Sequence, residues 1–313
     1  MRGRARKTNV VEVASSLVGR DEDLAAIADL FDGGARLVTV AAVGGMGKSR
    51  VVARFAALHA DAYARGGGAW LCDLTQATTA MDLCAVVASV LGVRLDASGA
   101  LAIEALGAAI SNRRRVLVVL DNVEQVADAG REVLRAWMSA APRAHFLAAS
   151  RVTLDVPGEH VARLAPLALP APDLDDAALS AVPSVDLFLR RARAVRPGFA
   201  TCAGDLAVAA EIARSLDGIP LAIELAAARA AVLSPAQIRA RLTAPLDMLA
   251  QRDDGGRHAS MRRAIGDSYA QLRDADKACL ARCAFFRGGF TLDAAERVIG
   301  PALAEIEALA GRS

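Results

Sequence analysis

The sequence predicts an α/β protein in which a parallel sheet carries helices on both faces and is followed by a small all-helical segment. Three observations carry this. Short apolar, β-branched runs recur at RLVTVAA (36–42), AWLCDL (69–74), VLVVLD (116–121) and HFLAAS (145–150). Helix-period segments separate them, and strands joined by crossover helices lie parallel. Beyond residue 166 the strand runs stop and helical periodicity takes over.

The 36–42 run reads as a buried strand, and KSRVVARFAALHADAYA (48–64) follows as a helix with no proline. Gly66, Gly67 and Gly68 end that helix before the 69–74 strand. Two alanine- and leucine-rich helices fill roughly 79–112. VLVVLD is apolar on both faces, as an interior parallel strand is. A helix near 126–140 precedes HFLAAS, and HVARLAP (160–166) is a fifth short strand. LALPAPDLDDAALSAVP, with three prolines and several acids, reads as a connector. From about 183 to 245 only helical patterns occur, broken at Pro197-Gly198, Gly218 and Ser234-Pro235. A polar break, RDDGGRH (252–258), leads into a third, mostly helical segment. The chain stops at Ser313 just after LAEIEALA with no closing element, the pattern of a piece of something longer.

Composition narrows the functional classes. At 313 residues, 54% hydrophobic and 23% charged, the chain suits two or three domains with sizeable cores. Lys+Arg is 37 against Asp+Glu 35, a formal net charge of +2, which excludes a strongly basic nucleic-acid coat and an acidic solvating tail. No apolar run reaches the ~18 residues of a membrane span. Arg2, Arg4, Arg6 and Lys7 resemble a signal-peptide start, but Glu12 interrupts the apolar stretch after them, so 1–16 reads as a basic tail or linker. Cys72, Cys84, Cys202, Cys279 and Cys283 are odd in number and scattered, which points to a reducing, cytoplasmic setting. Cys279 and Cys283, four apart, read as buried thiols of one helix face. His59, His145, His160 and His258 show no ligand spacing.

The sharpest motif is Ala42-Val43-Gly44-Gly45-Met46-Gly47-Lys48-Ser49, against the phosphate-loop pattern GxxxxGK[ST]. It departs from that pattern in having Ala42 for the first glycine. Small residues let backbone N–H groups curl round phosphates, and the next helix adds its N-terminal dipole. Lys48 would reach the β- and γ-phosphates and the Ser49 hydroxyl would ligate Mg²⁺. Lys48 is one of only three lysines in an arginine-rich chain, with Lys7 and Lys277, so a chance lysine in a glycine-rich turn is the weaker reading. Asp121, directly after four apolar strand residues, falls at the carboxyl edge of the sheet and supplies the second magnesium-side oxygen. Asn122 stands where many hydrolases have an acid, and an amide cannot act as a general base. Glu124 is the nearest substitute, or an acid that only faces solvent. Arg151 ends the next strand on the same edge and could contact a γ-phosphate, or be one more surface arginine. Gly218-Ile219-Pro220-Leu221 opens a helix and is by itself ordinary structure.

Taken together and in order, LVGRDEDL (17–24), AAVGGMGKSR (41–50), VLVVLDNVEQV (116–126), LAASR (147–151) and GIPLAIELAAAR (218–229) resemble the STAND ATPases. This is the AP-ATPase or NB-ARC group, and the likeness is to the modules inside bacterial LuxR-type and SARP-type transcriptional regulators. It extends over roughly residues 8–313. RHASMRRAIGDSYAQLRDADKACLARCAFFRGGFTLDAAERV also resembles the start of their winged-helix domain. The resemblance implies a P-loop NTPase domain over 17–166, a helical domain over 167–251 and an incomplete winged helix over 252–313. It implies that Val18, Gly19 and Arg20 lie against adenine. Gly44, Gly45, Met46, Gly47, Lys48, Ser49 and Arg50 would form the phosphate loop and helix start. Asp121 would be the magnesium-side acid, Arg151 the sensor arginine, and Pro220 the proline that packs on the base.

The implied function is an ATP/ADP-dependent signalling switch with Mg²⁺, slow hydrolysis and self-association on activation. Lys48, Asp121 and Arg151 would carry its chemistry. The winged helix in such proteins is an internal clamp, so no DNA contact and no membrane contact are expected of this segment. An AAA-type machine that hydrolyses ATP for mechanical work, and a scaffold that has lost nucleotide binding, are the alternatives. Asn122 argues against the first, and the intact Lys48, Ser49 and Asp121 against the second.

Overall fold

Five parallel strands, β1 (Leu37–Ala41), β2 (Gly68–Asp73), β3 (Val116–Asp121), β4 (His145–Ser150) and β5 (Glu159–Arg163), form one sheet in the order β2-β3-β4-β1-β5. Each run expected to be a strand is one, to within a few residues. The computed structural model describes residues 8–10, 17–242 other than 97, 201 and 203, and, beyond these, 269, 272–284, 286, 291–300 and 306. The segment 252–268, and with it much of the expected winged helix, lies outside the described residues, as do Arg2, Arg4, Arg6 and Lys7. No helix among the described residues is long and apolar enough to cross a membrane.

Two compact units make up the chain. The first holds the sheet, with residues up to Ala42 and Gly47–Leu164. Its helices are α1 (Asp21–Asp32), α2 (Lys48–Ala64), α3 (Ala80–Leu91), α4 (Ala100–Asn112) and α5 (Ala127–Ala140). Strand alternation sorts the core into two layers. Val116, Val118, Leu120, Phe146 and Ala148 join Leu83, Val87, Leu106, Ile110, Val133 and Trp137 of α3, α4 and α5 in one cluster. The alternate residues Leu117, Val119, Leu147 and Ala149 are equally buried, as are Val51, Val52 and Phe55 of α2. The Trp137 indole stacks over Phe146 at 6.4 Å and donates to the Ile103 carbonyl at 3.1 Å, so its polar atom is satisfied inside the core. His145 lies against Phe31, with ring centroids 5.0 Å apart, and its Nδ1 is 2.6 Å from the Tyr63 hydroxyl. Burial lowers its pKa, as expected of a core histidine.

Three local features depart from the expectations or went unread. The α1 helix has three acids in its first turn and buries Leu24, Ile27 and Phe31 on one face. Part of the proline-rich connector is helical: α6 (Asp176–Ala181) begins where the Asp175 carboxylate accepts the Ala178 N–H at 2.8 Å. Within the expected tail, Thr8 bridges to Ala69, and the Asn9 side chain both donates to the Leu71 carbonyl and accepts the Leu71 N–H, each at 2.8 Å. An edge strand presents unpaired backbone groups, and this amide fits them as a strand would.

The second unit comprises Val43–Met46 and the residues from Ala165 onward. After α6 come α7 (Pro183–Val195), α8 (Asp205–Ser215), α9 (Pro220–Ala228) and α10 (Pro235–Arg241). Phe188 and Phe199 meet edge to face at 5.8 Å, and Arg191 of α7 pairs with Glu224 of α9 at 3.0 Å. Farther on are α11 (Asp274–Cys283) and α12 (Leu292–Ile299). Arg273 grips the buried Asp276 through two 2.9 Å hydrogen bonds. Cys279 and Cys283 are buried on one side of α11, against Ile306.

The Gly66–Gly68 run does more than end a helix. A β-carbon on Gly66 would fall 2.2 Å from the Arg115 carbonyl oxygen, and one on Gly67 would fall 2.6 Å from Arg113 Cβ and 2.7 Å from Val116 Cβ. The turn before β2 therefore rests directly on the start of β3. Gly67→Ala should destabilise the protein by about 1–3 kcal/mol through this overpacking, read as a lower midpoint in urea unfolding.

Candidate functional site

The carboxyl ends of β1, β3 and β4 come together at one edge of the sheet, with β4 in the middle. Ala41 is in register with Ser150, and Leu120 with Ala148. The chain leaves β1 into the loop 42–47 and enters α2 at Lys48. Gly45 (φ +88°) and Gly47 (φ +91°) adopt left-handed conformations that side chains disfavour. Ala42 is not among the positive-φ residues. What this position supplies is backbone: its N–H donates to the Ser150 carbonyl at 3.3 Å, and its carbonyl accepts Lys48 Nζ at 2.7 Å. Alanine at the first motif position therefore carries no conformational penalty, and the motif is intact where its geometry is demanding.

The α2 helix starts without a capping side chain and without an acid in its first turn. Its N-terminal dipole thus meets no negative side chain of its own turn, in contrast with the three acids that open α1. Met46 is buried, Arg50 half-buried and Ser49 exposed at this turn. The Ser49 hydroxyl donates to Asp121 Oδ1 at 2.9 Å, and the Asn122 N–H donates to the same oxygen at 3.0 Å. A hydroxyl and a carboxylate held side by side are hard oxygen donors of the kind Mg²⁺ takes, in a site completed by phosphate and water. Among the described residues, no group of three or more His, Cys, Asp or Glu could hold a metal on its own.

Asn122 turns away from this point. It adopts φ +62°, and its amide donates to Thr75 Oγ1 at 2.9 Å and to Asp73 Oδ1 at 3.3 Å, tying the end of β3 to the end of β2. The chain then makes a single 3₁₀ turn, Val123–Val126, anchored by its two buried valines. That turn carries Glu124 inward. Its side chain is only 5% exposed, and Oε1 lies 3.1 Å from Arg151 Nε. Of the two readings of Glu124, the solvent-facing acid is thus excluded, and Arg151 is paired with a buried acid instead of a surface one.

Electrostatics follow from this crowding. Burial pushes Lys48 down from 10.5 to about 8, against the pull of Glu124 and Asp121 and with the help of Arg151. Burial also raises Asp121 from 3.8 to about 6, aided by Asp73 and Glu124 and opposed by the Ser49 and Asn122 hydrogen bonds.

The other expected residues are placed as follows. Val18 is half-buried, Gly19 is exposed with φ +63°, and Arg20 is buried at the start of α1, paired with Asp23 at 3.1 Å. Pro220 is the first residue of α9 and is buried in the second unit. In that unit the Leu221 N–H donates to the Gly45 carbonyl at 3.1 Å, a contact that no side-chain pattern announces. Gly218 (φ +67°) is fixed by the Leu167 carbonyl, 2.2 Å from where a β-carbon would sit.

A charged lysine buried at this loop costs stability. The unfolded chain holds this proton more tightly than the fold does, so the cost is complete below pH about 8 and vanishes as pH approaches 10.5. Lys48→Met should therefore raise the thermal midpoint of the nucleotide-free protein at neutral pH, with a gain of up to about 3 kcal/mol. The gain should shrink between those pH values, which melting curves of both proteins across pH would test.

Comparison with known proteins agrees with this architecture. Residues 16–149 match an AAA ATPase domain. The uncharacterized protein Rv0894 of Mycobacterium tuberculosis is 35% identical over 286 residues, covering 91% of this chain and 69% of that protein. Protein Rv0890c of the same species, whose name marks it as a candidate HTH-type transcriptional regulator, is 35% identical over 265 residues. That match covers 84% of this chain and 28% of the longer protein. Among solved structures, a Walker-type ATPase of Pyrococcus abyssi superposes with a TM-score of 0.54 at 14% identity, covering 93% of this chain and 89% of that one, a likeness of fold. With a parallel sheet, a phosphate loop at its carboxyl edge and these relatives, the chain belongs to the family of Rv0894 and carries an AAA ATPase domain of the P-loop NTPase fold.

Proposed function

We propose that the chain is an ATP/ADP-binding signalling switch of the STAND type with slow hydrolysis, working within a bacterial transcriptional regulator in the cytoplasm. One observation carries the reading. The loop lysine, the Ser49–Asp121 pair and Arg151 converge on a single sheet edge, beside a helix N-terminus free of acids in its first turn. Phosphates would take Lys48 Nζ from the Ala42 carbonyl and lie against the N–H groups of Gly44–Ser49, with Arg50 flanking them. Ser49 and Asp121 would hold Mg²⁺, which neutralises phosphate charge when bound. Val18, Gly19 and Arg20 would line the adenine, with Pro220 of the helical domain against the base.

The name of the relative Rv0890c supports the regulatory setting. On this reading residues 17–166 bind nucleotide, 167–251 form the helical domain, and 252–313 begin a winged helix that clamps instead of reading DNA. The near-neutral charge suits that role. Switching requires ADP and ATP to bind two states with different affinities, and the ATP state would self-associate. The position after Asp121 favours a slow switch over a motor, since Asn122 is spent on Asp73 and Thr75.

Calorimetry with ATP and ADP tests the reading. The wild-type protein should bind both, and Lys48→Met should lose both by a hundredfold or more (about 3 kcal/mol) while remaining folded. Undiminished binding by that variant would remove the phosphate-loop assignment.

Arg151 should discriminate between the nucleotides. A charged hydrogen bond to the γ-phosphate is worth about 1.5–3 kcal/mol, or roughly ten- to a hundredfold. Arg151→Ala should weaken ATP by that factor and leave ADP nearly unchanged, and Arg151→Lys should restore only part because the planar fork is lost. An unchanged ATP-to-ADP affinity ratio would show that Arg151 senses nothing.

A further inference from the structure

The carboxylates at this sheet edge are not equally occupied. Asp121 holds Ser49 and the Asn122 N–H. Asp73 accepts the Thr75 N–H, the Thr75 hydroxyl and the Asn122 amide. Glu124 is different: one oxygen is engaged by Arg151, while Oε2 is buried with no hydrogen-bond partner, a condition shared among the described residues only by Thr39 Oγ1. A carboxylate kept solely to hold Arg151 would be expected to satisfy both oxygens, since a buried unpaired oxygen is costly. An oxygen held dry and unpartnered at a site is instead suited to a group that arrives.

Its placement fits that purpose. Glu124 sits between two buried valines on a single tight turn, and Arg151 fixes its other oxygen, so the side chain is held rigidly. Arg151, which holds it, directly follows Ser150, and Ser150 is in register with Ala41, where the phosphate loop begins. The Glu124–Arg151 pair therefore lies at the loop side of the sheet edge, where a terminal phosphate would be bound.

We propose that Glu124 is the general base of ATP hydrolysis, in the role that Asn122 cannot fill, with Oε2 taking a proton from the attacking water while Arg151 holds Oε1. The proposal rests on reading the site as one that binds and cleaves ATP. In the step, the water oxygen bonds to the γ-phosphorus as one of its protons moves to Oε2. The bond from that phosphorus to the β–γ bridging oxygen breaks, and its electron pair leaves with ADP. The proton then passes from Glu124 to the released phosphate, which restores the carboxylate. Arg151 acquires two linked duties, contact with the γ-phosphate and alignment of the base.

Glu124→Gln tests this, because it keeps the size and loses the basic oxygen. Single-turnover phosphate release from radiolabelled ATP, with protein in excess, is measured beside equilibrium binding of ATP and ADP. Glu124→Gln should bind both nucleotides within about threefold of wild type while hydrolysis falls by about a hundred- to ten-thousandfold. Glu124→Asp, which retains an acid on a shorter arm, should bind as well and cleave at an intermediate rate. Cleavage by the Gln variant within threefold of an active wild type would overturn Glu124 as base and leave the ATPase reading standing. Loss of ATP and ADP binding together in both variants would overturn it in favour of a structural partner for Arg151. A wild-type protein that binds ATP and releases no phosphate would sink hydrolysis and its base alike.

Discussion

The site depends on β4 lying between β1 and β3. That placement puts the phosphate loop and Asp121 two strands apart, a span of about 10 Å at ordinary strand spacing. It is crossed from one side by Ser49, reaching out of α2, and it is floored by Ser150 and Arg151 at the end of β4. Had β4 taken an outer position, β1 and β3 would be neighbours, and Arg151 would have no route to Glu124. Parallel strands guarantee that all of these groups leave the sheet at the same edge, and the crossover helices place α2 where its N-terminus faces them.

Within that edge, burial works against both signs of charge. It lowers Lys48 and raises Asp121, so each is held in an environment that resists its charged form. Within the protein, the Lys48–Ala42 and Ser49–Asp121 hydrogen bonds offset part of this cost. A phosphate chain with its cation would supply more, setting negative charge against Lys48 and positive charge against Asp121. On the proposed reading, the tension that burial creates is the source of the site's preference for a nucleotide carrying a metal.

Much of this was legible in the sequence because it is local. The α2 helix runs from Lys48 to Ala64 as its periodicity and the glycines after it require, and Asp121 ends β3 because four apolar residues precede it. Ala42 departs from the strict motif without consequence, since that position lends only its backbone. The residues that escaped reading are those whose surroundings come from elsewhere in the chain. Glu124, flanked by Val123 and Gln125, has the local pattern of a solvated acid, and it is buried on a turn pinned by two valines, where the strand after α5 brings Arg151 to it. The short helix Asp176–Ala181 hides among prolines that signal a connector, although Asp175 caps it. The Leu221 N–H contact to Gly45 is made by backbone, which no pattern of side chains records.

Asn9 bears on what the free edge of the sheet can accept. The outer backbone of β2 would otherwise be a template on which a strand from a second molecule could grow. An amide seated on both the N–H and the carbonyl of Leu71 uses up that register position. A foreign strand would have to displace a group already satisfied on both sides. Edge-to-edge strand pairing is thereby disfavoured at this position of β2.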